Sequence, residues 1–204
     1  IAMEAGVESF GDYNGVRRLF DELMAGTEFG ALLGQGAVEL AKALGVSHVP
    51  AINGQSMAAY DPRAIKIMGI TYATSPMGAD HTYGPGIKIK SDDPIEFVKR
   101  SQMLVSKVDC LGLCTFARAP LEFQMHIVVD LINAKFGWDK DVDWLDQIAK
   151  QTIRDEHRFN ELAGFDKERY RMPSSFTDKK IESTGEVFDI PAEELDKLRE
   201  HWSD

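Results

Sequence analysis

Cysteine is nearly absent from this 204-residue chain: Cys110 and Cys114 are the whole supply. Two thiols four positions apart are no framework for a secreted disulfide-rich domain, and they do not form the C-x-x-C of a zinc knuckle or redox dithiol. A reducing, cytoplasmic compartment is the expectation. Long apolar runs are missing too. No stretch approaches the roughly 20 residues that span a bilayer, and the opening Ile1-Ala2-Met3-Glu4 carries no basic n-region of a signal peptide. No membrane partner is expected. Basic charge is in deficit, with 23 Lys and Arg against 33 Asp and Glu, a net charge of -10 and a pI near 5.0. Nucleic-acid binding needs clustered cations to release phosphate counterions, so that class is excluded. Internal repeats and low-complexity tracts are absent, and strand signals are sparse, limited to Val187-Phe188-Asp189-Ile190 and Ile70-Thr71-Tyr72.

What remains is helical. The hydrophobic share of 44% is enough for a core in one ordinary domain or two small ones. Ile1 to Glu8 reads as helix already under way, with no capping residue before it, which suggests a piece cut from something longer. After Asn14-Gly15, the residues Val16, Leu19, Phe20, Leu23 and Met24 fall at helical spacing, and Gly26 stands where a left-handed terminator is wanted. A short helix follows Gly36 and ends at Gly45. Residues 47 to 59 read as irregular. Asp61-Pro62 looks like a cap with proline in the first turn of a short helix that Gly69 interrupts.

Residues 76 to 92 form a long loop rich in glycine, and long ordered loops tend to be functional. Asp93-Pro94-Ile95-Glu96 then combines cap, proline and capping-box glutamate, opening a helix to about Val108. A third long helix is expected from Pro120 to Phe136, stopped by Gly137. A fourth runs from Asp141 to Ala163, stopped by Gly164, and a short one follows Pro191. The fold class is mostly α.

The residues with chemical potential converge on Asp109-Cys110-Leu111-Gly112-Leu113-Cys114. A thiolate suits iron–sulfur clusters, zinc and copper(I), and a carboxylate accepts from the N–H groups of a heterocycle. Spacing alone does not decide between Cys110 and Cys114, and either could be a small buried hydrophobe. Asp109 at a helix C-terminus opposes the macrodipole, which calls for solvent exposure or a specific partner. Gly112 permits close approach or a positive φ. His81 lies in the loop and is a candidate proton carrier or a solvated surface residue. Arg63 either pairs locally with Asp61 or holds a phosphate. His48, His126, His157 and His201 read as structural or exposed.

Taken together, Ala59-Tyr60-Asp61-Pro62-Arg63, Tyr72-Ala73-Thr74-Ser75 continuing through Gly78 to His81, and Asp109-x-x-Gly112-Leu113-Cys114 resemble the aldehyde ferredoxin oxidoreductase family of tungsten or molybdenum bis-pterin enzymes. Phe159-Asn160 and Ala163-Gly164-Phe165 add weaker support. The likeness runs to about residue 190 and implies the C-terminal portion of such an enzyme, with a multi-helical fold. Residues 1–58 would be the end of the middle helical domain, and 59–204 the C-terminal helical domain carrying the motif.

The resemblance implies that Asp109 hydrogen-bonds a pterin and that Gly112 and Leu113 let the backbone pass close to it. Cys114 would be the last of four ligands to a 4Fe–4S cluster, and His81 a proton-transfer or substrate-positioning group near the metal. The implied reaction oxidises a small aldehyde to a carboxylic acid, with electrons leaving through pterin and cluster to ferredoxin. The other three cluster cysteines and the pterin-cradling β domain have no counterpart here. The implied partner is therefore an N-terminal part of the same enzyme, and the chain alone is expected to bind neither group stably and to be inactive. A homodimer is one compatible assembly. The alternatives from other classes are a helical scaffold or interaction module without catalysis and an aromatic ring reductase subunit of the same family.

Overall fold

Asp93 accepts from the Glu96 N–H at 3.0 Å, and Pro94 occupies the first helical position, so the longest start signal in the sequence acts as read. This begins helix α5 (Pro94–Cys110) in a computed structural model that describes residues 1–86 and 91–203. Residues 87 to 90, within the expected loop of 76 to 92, lie outside the described residues. Ahead of α5 come α1 (Tyr13–Ala25), α2 (Glu28–Gly34), α3 (Ala37–Leu44), strands β1 (Ala51–Ile52) and β2 (Gln55–Ser56), and α4 (Lys66–Thr74). After it come α6 (Arg118–Glu122), α7 (Met125–Phe136), α8 (Val142–Leu162), α9 (Ser174–Thr177) and α10 (Ala192–Ser203). The architecture is mostly α, as expected.

The core is built around α4. Every residue from Ile67 to Thr74 is buried, so this helix has no solvent face and no amphipathic period to read. That explains two departures from the sequence reading. Ile70-Thr71-Tyr72 is helix rather than strand, because a short all-apolar run is ambiguous between the two. Gly69 does not interrupt the helix; a Cβ there would collide with the Phe188 ring and Pro62, so glycine permits that contact. Around α4 pack Val98 and Val105 of α5, Ile153 of α8 and Leu195, Leu198 and Trp202 of α10. Polar ties fix the layers. The buried Gln102 Nε2 donates to Thr74 Oγ1 at 2.9 Å, and Ser106 Oγ to the Ala149 carbonyl at 3.1 Å. A smaller cluster joins Met125 and Val129 of α7 to Leu145 of α8.

Five other expectations change. Residues 1 to 8 form turns, and Gly6 sits at φ 70. Helix α1 starts at Tyr13 under an Asp12 cap, so Asn14-Gly15 lies inside its first turn. The segment from 47 to 59 contains a two-residue antiparallel pairing of β1 with β2 across Asn53 (φ 53) and Gly54 (φ 80), the positive-φ pair that a tight hairpin demands. The expected helix from Pro120 is broken at Phe123-Gln124 into α6 and α7. Val187 to Ile190 forms no strand and has no strand partner among the described residues; Phe188 N–H donates to the Phe176 carbonyl. The glycine terminators behave as read: Gly26, Gly45, Gly137 and Gly164 all have positive φ.

Helix α1 presents Tyr13, Val16, Phe20, Leu23 and Met24 outward, all exposed. The helical spacing was correct, yet the stripe faces solvent in this chain. No helix among the described residues is long and apolar enough to cross a membrane.

Candidate functional site

The motif Asp109 to Cys114 is the end of α5. Cys110 is its last helical residue and Gly112 takes φ 65. Gly112 N–H donates to the Asp109 carbonyl at 2.9 Å, and Leu113 N–H to the Val108 carbonyl at 3.0 Å. This pair of bonds is the Schellman ending, in which a left-handed residue reverses the chain and satisfies orphan carbonyls. Gly112 is thus explained by backbone conformation, and the space where a side chain would stand is open. The reversal carries the chain away from the helix, so that Cys114 follows in extended conformation with an exposed thiol. Its carbonyl accepts from Ala117 N–H at 2.8 Å, starting a single 3-10 turn over Thr115–Ala117.

Asp109 is exposed, and its carboxyl is raised above the usual range by partial burial and by the neighbouring Asp80 charge. Cys110 Sγ lies 3.3 Å from Thr152 Oγ1 on α8. One helical turn further along α8, Glu156 accepts from the hydroxyl of Tyr83 at 2.9 Å. Burial raises the Glu156 carboxyl, the Tyr83 hydrogen bond opposes this, and the Asp109 charge adds to the rise. Tyr83 is 6% exposed and its phenol is driven upward by burial and then by Glu156. Carboxylates drawn together against their repulsion mark candidate functional positions.

His81 is exposed on the loop between α4 and α5, its ring 5.7 Å from that of Tyr60. Most of the loop around it is anchored. Asn160 Nδ2 donates to the Pro76 carbonyl at 2.7 Å and Tyr170 to the same oxygen at 3.3 Å. Thr82 N–H and Oγ1 both donate to Asp80 Oδ1 at 2.9 Å. A cleft of about 710 Å³ lies beside this loop, lined among others by Asn53, Gln55, Thr152, Glu156, Phe159 and Asn160.

Arg63 is committed elsewhere. Its guanidinium grips Asp61 (Nη2 to Oδ2, 2.6 Å) and the Lys179 carbonyl at 3.1 Å, so the local pair is the reading that holds. Burial works to raise the Asp61 carboxyl, but the Arg63 hydrogen bonds and charge outweigh it and hold it low.

The structure therefore gathers Asp109 and Cys114 at one helix end, with Asp80, from the His81 loop, electrostatically felt at Asp109. Asp80, Tyr83, Thr152 and Glu156 were missed as members of this neighbourhood. Nothing in spacing links residue 83 to 156, because the pairing is a tertiary contact across 73 positions.

Residues 3–202 match the family model described as "Aldehyde ferredoxin oxidoreductase, domains 2 & 3". The chain belongs to the aldehyde ferredoxin oxidoreductase family. It is 30% identical over 152 residues to a tungsten-containing aldehyde ferredoxin oxidoreductase of Pyrococcus horikoshii, covering 68% of this chain and 25% of that protein. The relative of the same name from Pyrococcus abyssi matches equally, and that from Thermococcus kodakarensis is 26% identical over 153 residues, covering 68% of this chain and 25% of its own. The chain thus spans about a quarter of the length of the curated relatives it matches.

The donor set can be tested against the groups the family implies. An exposed thiol followed by an open 3-10 turn suits one soft ligand at an edge. An exposed carboxylate of raised basicity suits N–H donors of a heterocycle. Among the described residues no grouping of three or more His, Cys, Asp or Glu is arranged to hold a metal ion. The residues fit as one wall of a shared site, not as a complete cage.

Proposed function

We propose that this chain is the C-terminal portion of an aldehyde oxidoreductase. Residues 1–58 would close its middle helical domain, and 59–204 would form the helical domain that walls the cofactor site. The observation that supports this reading best is the joint exposure of the Asp109 carboxylate and the Cys114 thiol on either side of one Schellman turn. A turn that served only to end α5 would have no need of either group.

The tungsten (or molybdenum) bis-pterin and the 4Fe–4S cluster, when bound, supply the two-electron oxidation of a small aldehyde to a carboxylic acid and the outlet of electrons to ferredoxin. The work of this chain is more limited. Asp109 accepts hydrogen bonds from pterin N–H groups, and its raised basicity strengthens that acceptance. Leu113 and Gly112 set the backbone path that carries Cys114 outward. The Cys114 thiolate is the single iron ligand this chain provides. His81, on an anchored loop with its ring exposed beside Tyr60, would transfer a proton to or from the substrate or orient it.

One thiolate and one pterin acceptor do not make a stable binding site, so the chain alone is inactive on this reading. Metal analysis of the enzyme purified from its source tests it. Tungsten or molybdenum together with about four irons for every copy of this chain is expected. A metal-free protein of native structure would replace the enzymatic reading with the helical scaffold.

A further inference from the structure

Arg118 is the first residue of α6 and lies one short turn beyond Cys114. Its Nη1 donates to the Gly84 carbonyl at 2.5 Å, reaching across to the loop that carries His81. The same guanidinium fills the space beside Gly86, where a Cβ would meet its Nη2 at 2.6 Å and where φ is 72. A Cβ at Gly84 would collide with the Thr71 side chain of α4. The chain at Gly84–Gly86 is therefore held between Thr71 of α4 and Arg118: at Gly84 a side chain has no room against Thr71, and at Gly86 the positive φ calls for glycine. Next to it, Tyr83 is fixed by Glu156. His81 stands three residues before this clamp.

We propose that Arg118 is a positioning residue that ties the His81 loop to the Cys114 segment. The proposal rests on the roles given to His81 and Cys114 above. Its physical basis is the pairing of a charged donor with a backbone carbonyl, stronger than a neutral bond, at a point where the loop has no regular structure of its own. The two segments are far apart in sequence. The guanidinium makes the position of one follow the position of the other, and a displacement of about 1 Å in a reacting group can cost on the order of 100-fold in rate.

Two measurements test it. In the full chain, amide exchange across residues 80 to 84 is expected to rise at least about tenfold in Arg118→Ala, with the His81 imidazole resonances shifted. Arg118→Lys is expected to restore much of the protection, since lysine keeps one donor for the Gly84 carbonyl but cannot also cover Gly86. In the enzyme purified with its remaining polypeptide, Arg118→Ala is expected to lower kcat about tenfold with KM changed less than about twofold. Unchanged exchange at 80 to 84, or unmoved His81 resonances, in Arg118→Ala overturns the proposal, and so does exchange in Arg118→Lys as fast as in Arg118→Ala. Failure of the His81 role itself reads out separately, as full activity in His81→Ala with wild-type exchange elsewhere in the loop.

Discussion

Tyr83 Oη and Glu156 Oε2 are 2.9 Å apart, joining the loop between α4 and α5 to α8 within electrostatic reach of Asp109. The phenol donates and the carboxylate accepts. Since this bond lowers the Glu156 carboxyl pKa, its removal in Tyr83→Phe is expected to raise that pKa further, followed by carbon-13 NMR of the Glu156 carboxyl. The stability cost is expected at about 1–2 kcal/mol, one hydrogen bond with a partner left behind. An unchanged or lowered Glu156 pKa would show that the carboxylate finds its main support elsewhere.

His157 is buried on α8, with Nε2 lacking a partner among the described residues. Burial, and then the Arg199 charge, push its pKa down from 6.5 to about 4. Between those values the unfolded chain binds a proton that the folded chain refuses, so stability is full above pH 6.5 and falls as the pH drops toward 4. The loss attributable to this residue is expected to reach roughly 3 kcal/mol. Urea denaturation at pH 7, 5 and 4 measures it. His157→Phe is expected to flatten this acid limb, and an identical limb in the variant would refute the assignment.

Two glycine substitutions separate steric from conformational cost. Gly69→Ala would drive a methyl into Phe188 and Pro62 within the fully buried α4. Overpacking of this kind is expected to cost about 1–3 kcal/mol or more. Gly112→Ala meets open space but keeps φ 65, a left-handed strain of about 1–2 kcal/mol. Denaturation midpoints are expected to rank Gly69→Ala as the more damaging, and its variant as the one with disturbed aromatic packing by near-ultraviolet circular dichroism. The reverse order would mean that the Phe188 ring yields easily.

Much of this fold is legible from local chemistry. The caps at Asp93 and Asp141 and the glycine stops at 26, 45, 137 and 164 are one-residue signals whose physics is complete within a turn. The misreadings occur where local chemistry is silent. Helix α4 is buried on every side, so its apolar run has no period, and Gly69 looks like a breaker until Phe188 arrives from more than a hundred residues away. The break at Phe123-Gln124 has no glycine or proline to announce it. Asp109, Gly112 and Cys114 could be singled out because they share one turn. Tyr83, Glu156 and Arg118 could not, because their significance lies in which distant backbone or side chain they reach.

Cys110 and Cys114 are both exposed, but only Cys114 lies beyond the helix end, while Cys110 remains in the last turn of α5 against Thr152. Anaerobic reconstitution of the isolated chain with iron and sulfide is expected to give no stoichiometric 4Fe–4S spectrum. A stable cluster at four irons per chain would require ligands beyond the single thiolate assigned here.

The sharpest measurement is iron content with electron paramagnetic resonance of the cluster in the complete enzyme, compared between Cys114→Ala and Cys110→Ala. Loss or damage of the 4Fe–4S signal in Cys114→Ala alone is the expected result. Equal loss in both variants, or loss in Cys110→Ala alone, would contradict the role given to the thiol at position 114.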